Sequence, residues 1–221
     1  MNKLLIAALL LTSIALPSIF AKDAPQKSGL PKVLIIGDSI SMGYTPRVKK
    51  MLEGKAVVKH NKGNAGPAIK GVAKIDEWLG SDKWDVIHFN WGLWDMYGWE
   101  YAKEDLSPAM YAKRLDKLVI RLKKSGATLI WGTTTPACPA LEHTMLKRFK
   151  TKTLITPAVE KQYLDAALLV MKKYQIQVND LHAFIAPHLK KYALATDDVH
   201  YTKEGYQKLA EQVAESIEKN L

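Results

Sequence analysis

One cysteine, Cys138, is the whole thiol content of this 221-residue chain. A lone cysteine excludes an internal disulfide. With no cationic helix start beside it, it reads as a buried small side chain and not a reactive thiol. No set of His, Cys and carboxylates has metal-ligand spacing, so no metal is expected. No Gly-x-Gly-x-x-Gly and no Walker-type loop occurs, so no nucleotide cofactor is expected. Negative charge is in deficit: 22 Asp and Glu against 32 Lys and Arg, a net charge of +10. The excess lysines are scattered pairs, Lys49-Lys50, Lys123-Lys124, Lys172-Lys173 and Lys190-Lys191, near the ends of expected helices, where cations oppose the dipole. No basic stripe interleaved with aromatics is present, so no nucleic-acid partner is expected. The charge reads as solvated surface suited to an anionic envelope.

Long hydrophobic runs are also missing. The one apolar stretch of note, LLIAALLLTSIAL, covers about 13 residues, short for a membrane span and suited to a signal-peptide core. Lys3 precedes it, and PSIFA follows with Ile19 and Ala21 in an acceptable cleavage pattern. Residues 1–21 are therefore expected to be a secretory signal, with 22–30 a polar lead and 31–221 the folded domain. No cysteine stands at the cleavage point, which argues against a lipid anchor. An uncleaved N-terminal anchor is the alternative. The expected protein is secreted or periplasmic in a bacterial envelope, monomeric, and not stably inserted in a membrane once the signal is removed.

What remains alternates between strand and helix patterns. KVLIIG (32–37), AVVKH (56–60), WDVIHFNW (84–91), ATLIWGT (127–133) and IQVND (176–180) read as strands. Helices are expected over 43–53 and 68–79, from the Ser107-Pro108 start, from the Thr156-Pro157 start to about Tyr174, and after a Thr202 cap. The third of these shows a core face of Tyr111, Leu115, Leu118, Val119 and Leu122, and the last one of Tyr206, Leu209, Ala210, Val213 and Ile217. The order βαβαβαβαβα predicts a three-layer α/β/α fold around a doubly wound, flavodoxin-like sheet of five parallel strands. Segments 92–106 and 134–155 are expected to be long irregular loops over the C-terminal edge of that sheet, where such folds place ligand sites.

That edge collects the chemistry. Asp38 and Ser39 end the first strand, HNKGNAGPA follows the second, Asn90, Gly92, Trp94 and Asp95 follow the third, and TDDVHYT precedes the last helix. A serine nucleophile needs a base in reach and an orienter for that base. Asp197 and His200, three apart, can supply both if their turn folds over to Ser39. The Ser39 backbone N–H and Gly66 are candidate oxyanion donors.

These blocks resemble the SGNH, or GDSL-type, hydrolases. GDSI matches the nucleophile block, NKGNAG the glycine block, GLWD the Gly-x-Asn-Asp block, and DDVH the Asp-x-x-His block, in order along nearly the whole expected mature chain. The resemblance implies Ser39 as nucleophile, His200 as base and then acid, Asp197 as orienter and Gly66 as oxyanion donor, with Asp38 fixing the turn. It also implies an ester substrate and no cofactor.

One block departs from the pattern. Trp94 stands where the family has an asparagine that donates its side-chain amide to the oxyanion. Asn90, at the end of the same strand, is a candidate substitute, and the alternative is that it ties the neighbouring loop. Trp94 and Asp38 are candidate substrate contacts. Trp91, Trp94, Tyr97, Trp99 and Tyr101 form an aromatic cluster able to stack on sugar or to anchor a core. His60, His88, His182 and His188 read as structural or surface residues, and His143 has no assigned role. The leading expectation is a secreted serine esterase acting on short acyl groups, O-acetyl on carbohydrate above all. The alternatives are a lipid-ester or thioester hydrolase and a weakened, glycan-binding relative.

Overall fold

Five short apolar runs become five strands. In the computed structural model, which describes residues 29–101, 103–137, 155–195 and 198–221, they are β1 (Lys32–Ile36), β2 (Val57–His60), β3 (Val86–Phe89), β4 (Thr128–Gly132) and β5 (Gln177–Asn179). All pair in parallel in the order β2-β1-β3-β4-β5. The two adjoining strands β1 and β3 are covered on both faces: every residue of β3 is buried, His88 included, and β1 from Val33 onward. The chain leaves β1 to one side and returns to β3 on the other. The switch point therefore lies beside the β1 C-terminus, which is where open sheets of this kind hold their ligands.

The helices are α1 (Ser39–Met51), α2 (Ala68–Leu79), α3 (Leu93–Tyr97), α4 (Pro108–Lys123), α5 (Pro157–Tyr174), α6 (Leu181–Ile185), α7 (Leu189–Tyr192) and α8 (Lys203–Glu218). Helix α1 packs with α8, and α4 packs with both α2 and α5, giving the outer layers. The expected starts of α4, α5 and α8 carry their caps: Ser107 Oγ accepts from Met110 N–H, Thr156 Oγ1 from Val159 N–H and Thr202 Oγ1 from Gly205 N–H. The α4 face Tyr111, Leu115, Leu118, Val119 and Leu122 is fully buried.

Two expectations need correction. Helix α1 begins at Ser39, not at 43, because Asp38 caps it: its Oδ1 accepts from Ile40 N–H at 2.9 Å and so winds the small residues that follow. Segment 92–106 is not wholly irregular. It contains α3 and a 3₁₀ turn over Trp99–Tyr101, because Leu93, Met96 and Tyr97 share one helical face and bury it. The expected signal peptide, Cys138, His143, most of segment 134–155 and Asp197 lie outside the described residues. Among the described residues no helix is long and apolar enough to cross a membrane.

The contact of α1 with α8 is close because Gly43 has no side chain. A Cβ there would stand 2.2 Å from the Tyr206 ring. Gly43→Ala is expected to push the two helices apart, at a cost of about 1–3 kcal/mol. Urea unfolding reads this directly. An unchanged midpoint and slope would show that the ring swings aside freely.

Candidate active site

The nucleophile turn is built by β1 and clamped by β2. Gly37 N–H donates to Asn61 Oδ1 at 2.9 Å, and Ala65 N–H donates to Gly37 O at 3.0 Å. Ser41 Oγ lies 2.8 Å from Asp38 O and 2.6 Å from His60 Nε2, while His60 Nδ1 lies 2.7 Å from Asn61 O. The end of β2 thus grips the turn on both sides of Asp38. Asp38 itself is only 4% exposed. Burial pushes its carboxyl above the ordinary range, against the pull of Ile40 N–H and His200. Its carboxylate serves the turn, and the substrate contact expected of it is closed off by this enclosure. Ser39 is the first residue of α1, so its N–H is one of the helix-start donors without an intrahelical acceptor.

The opposite wall is the segment before α8. Leu194 N–H donates to His200 O and Thr202 N–H to Tyr192 O, both at 2.8 Å, so the histidine is held from both sides. His200 Nε2 lies 2.9 Å from Ser39 Oγ across 161 positions of sequence. His200 Nδ1 lies 2.6 Å from Asp198 Oδ1, and the same oxygen accepts the His200 backbone N–H at 2.9 Å. This corrects the expected orienter. The carboxylate on Nδ1 belongs to Asp198, one residue after Asp197, because a turn closing on the second residue ahead brings the side chain under the ring. With Nδ1–H donating to Asp198, Nε2 presents its lone pair to the Ser39 hydroxyl. Such an arrangement can take a proton from a serine and return it to a leaving group.

The third strand contributes less than expected at the surface and more beneath it. Asn90 Nδ2 donates one of its two protons to Gly132 O at 2.7 Å, so its amide ties the end of β3 to β4. Trp91 and Tyr97 are core residues, Trp91 stacking on Trp78. Trp94 and Tyr101 are half-buried and remain at the surface. Asp95, unassigned by the motif reading, is 1% exposed and takes Ala68 N–H on both carboxylate oxygens, at 3.0 and 3.1 Å. It thereby holds the start of α2, two residues after Gly66. Burial raises its carboxyl to about 7, although Ala68 N–H and Arg114 pull the other way. The helix-like spacing of Leu93, Met96 and Tyr97 puts Asp95 on the opposite side of α3, so no periodicity in the sequence marked it as buried. Gly66 sits at φ +60° beside this helix start, and its N–H donates to Asn64 Oδ1 at 2.8 Å.

No protein-family model matches the chain, and no curated protein matches it. Solved structures do. A lipase/acylhydrolase from Enterococcus faecalis superposes with a TM-score of 0.68 at 17% identity, over 86% of this chain and 96% of that one. A GDSL-like lipase from Bacteroides thetaiotaomicron gives 0.66 at 15%, over 86% and 89%. An acetyl xylan esterase from Geobacillus stearothermophilus gives 0.66 at 19%, over 85% and 94%. The fold is that of the GDSL-type hydrolases. On a GDSL-type fold the Ser39–His200 contact falls at the C-terminal rim of the sheet, beside the β1/β3 switch point. A wide groove between α2, α4 and α5, lined by Ile69, Val72, Met110, Lys113 and Val170 among others, shares no residue with this contact. Among the described residues no group of three or more His, Cys, Asp or Glu side chains is placed to hold a metal.

Proposed function

We propose that this chain is a serine esterase of the GDSL type, exported to the cell envelope, which removes short acyl groups, O-acetyl above all, from carbohydrate. The observation that carries the reading is the unbroken line Ser39 Oγ, His200 Nε2, His200 Nδ1, Asp198 Oδ1, with steps of 2.9 Å and 2.6 Å between residues. Ser39 Oγ attacks the ester carbonyl as its proton passes to His200 Nε2. The tetrahedral intermediate collapses, the C–O bond to the alcohol breaks, and His200 returns the proton to that alcohol. Water then gives its proton to His200 and attacks the acyl-serine, and His200 returns that proton to Ser39 Oγ as its bond to the acyl carbon breaks and the acid is freed. Asp198 fixes the Nδ1–H tautomer and stabilises the imidazolium formed in each half.

The carbohydrate part rests on the rim. Trp94 and Tyr101 are half-buried there, within reach of solvent, and Glu100, Glu104 and Asp105 are exposed alongside them. Aromatic faces interleaved with carboxylates suit a polar, hydroxyl-rich alcohol better than a long acyl chain. Esterase structures described as acting on acetylated xylan share the fold. Export rests on the apolar, Lys-led N-terminus.

The test is a fluorophosphonate label. Wild-type protein is expected to take it up at Ser39, and Ser39→Ala to stay blank. Turnover should then fall from acetyl through butyryl to longer model esters, and acetylated xylan should release acetate. A folded wild-type sample that stays unlabelled would return the chain to a glycan-binding role. A preference for long chains would favour the lipid-ester reading, which the lipase neighbours keep in view.

A further inference from the structure

An oxyanion site built only from the Ser39 and Gly66 N–H groups is one donor short of the GDSL-type pattern, because Trp94 replaces the amide-bearing residue; the Asn90 amide has one proton fixed on Gly132 O, and that bond sets the direction of the other. The Gly66 N–H is itself already occupied. Asn64 Oδ1 stands 2.8 Å from the Gly66 nitrogen, where an ester carbonyl oxygen would have to stand to use that donor. The backbone around Asn64 is fixed from three sides. Lys70 Nζ donates to Asn64 O at 2.9 Å, Ala65 N–H to Gly37 O at 3.0 Å, and Asn61 Nδ2 to Gly63 O at 2.9 Å. By contrast, the contact to Gly66 N–H is the one hydrogen bond of the Asn64 carboxamide among the described residues. The movable part of this loop is therefore an amide that carries both an acceptor and a donor.

We propose that Asn64 supplies the missing oxyanion donor. This rests on the esterase reading above. In the free protein its Oδ1 satisfies the buried Gly66 N–H. When the ester carbonyl arrives, Oδ1 yields that N–H, and rotation about the Cα–Cβ and Cβ–Cγ bonds draws the amide back from that position and turns Nδ2 towards the same oxygen. The buried N–H is never left without an acceptor, and the developing oxyanion gains a second neutral donor from the same loop. Trp94 is then free to differ from the family asparagine.

The test uses Asn64→Ala and Asn64→Asp in the full-length protein, with model acetyl ester and fluorophosphonate. Aspartate keeps an acceptor for Gly66 N–H but has no amide to donate. Asn64→Ala should lose about 100-fold in kcat with KM nearly unchanged, the usual loss for one oxyanion donor. Asn64→Asp should recover wild-type thermal stability without recovering kcat. In wild-type protein labelled with ¹⁵N, one Asn64 side-chain amide proton should move downfield when Ser39 is phosphonylated. Recovery of kcat in Asn64→Asp would reduce Asn64 to a turn-forming residue and overturn the proposal. A rise of kcat in Asn64→Ala would overturn it too, making the side chain a plug. Normal phosphonylation with an unmoved amide resonance would also reject it, while leaving the esterase reading intact. Absence of labelling in wild type would remove both.

Discussion

Asp198→Ala lowers kcat by about 1000-fold or more, whereas Asp197→Ala stays within a few-fold of wild type. The expected loss is that of a triad carboxylate, whose removal frees the wrong tautomer and leaves the imidazolium without its counter-charge. His200 Nδ1 has one proton to donate, and Asp198 Oδ1 receives it at 2.6 Å. A second carboxylate would have to displace the first, together with the bond from His200 N–H to the same oxygen. Asp198→Asn separates the two contributions. An asparagine oxygen can keep both hydrogen bonds while the charge is lost, so this variant should fall between wild type and Asp198→Ala. Steady-state kinetics on an acetyl ester gives the ranking. The opposite ranking, with Asp197→Ala inactive and Asp198→Ala active, would give the orienting role back to the first aspartate of the pair.

The pair also shows how far residue order can carry a reading. Each strand core and the caps at Ser107, Thr156 and Thr202 follow from hydrophobic runs and turn chemistry that are local in sequence, whereas the meeting of Ser39 with His200, 161 positions apart, was expected from the order of strands and the resemblance of the blocks at their ends. The choice between adjacent aspartates follows from neither. Both carry the same group, and the local fold of the turn, which sequence order does not state, brings Asp198 to the ring. The N-terminal start of α1 was hidden for a related reason: its first turn, Ser39 to Met42, has little apolar periodicity and is held by the Asp38 cap. Helix α3 spans only Leu93–Tyr97, too short for its period to stand out. Sequence singles out Asn90 as a candidate donor and passes over Asn64, because an asparagine amide declares neither its partner nor its direction until the strands beside it are in place.

The Asp95 carboxyl makes stability fall as pH rises. Its ordinary value is 3.8 and burial lifts it to about 7, so between these limits the folded protein holds a proton that the unfolded chain has released. The stabilisation is complete below the lower limit and is lost as pH climbs through the upper one. About 2–3 kcal/mol of that loss falls between pH 5 and pH 8, since each pH step inside the window removes roughly 1.4 kcal/mol. Asp95→Asn has no proton to lose, yet its side-chain oxygen can still accept Ala68 N–H. The stability of the variant relative to wild type should therefore improve by about 2–3 kcal/mol from pH 5 to pH 8. Urea unfolding of both proteins at the two pH values measures the difference and cancels the titration of every other group. A difference that does not change with pH would mean that Asp95 is ionised throughout, held by the two Ala68 contacts and Arg114 against the cost of burial. In that case the start of α2, and with it the Gly66 loop, would be anchored by a charge and not by a neutral acid.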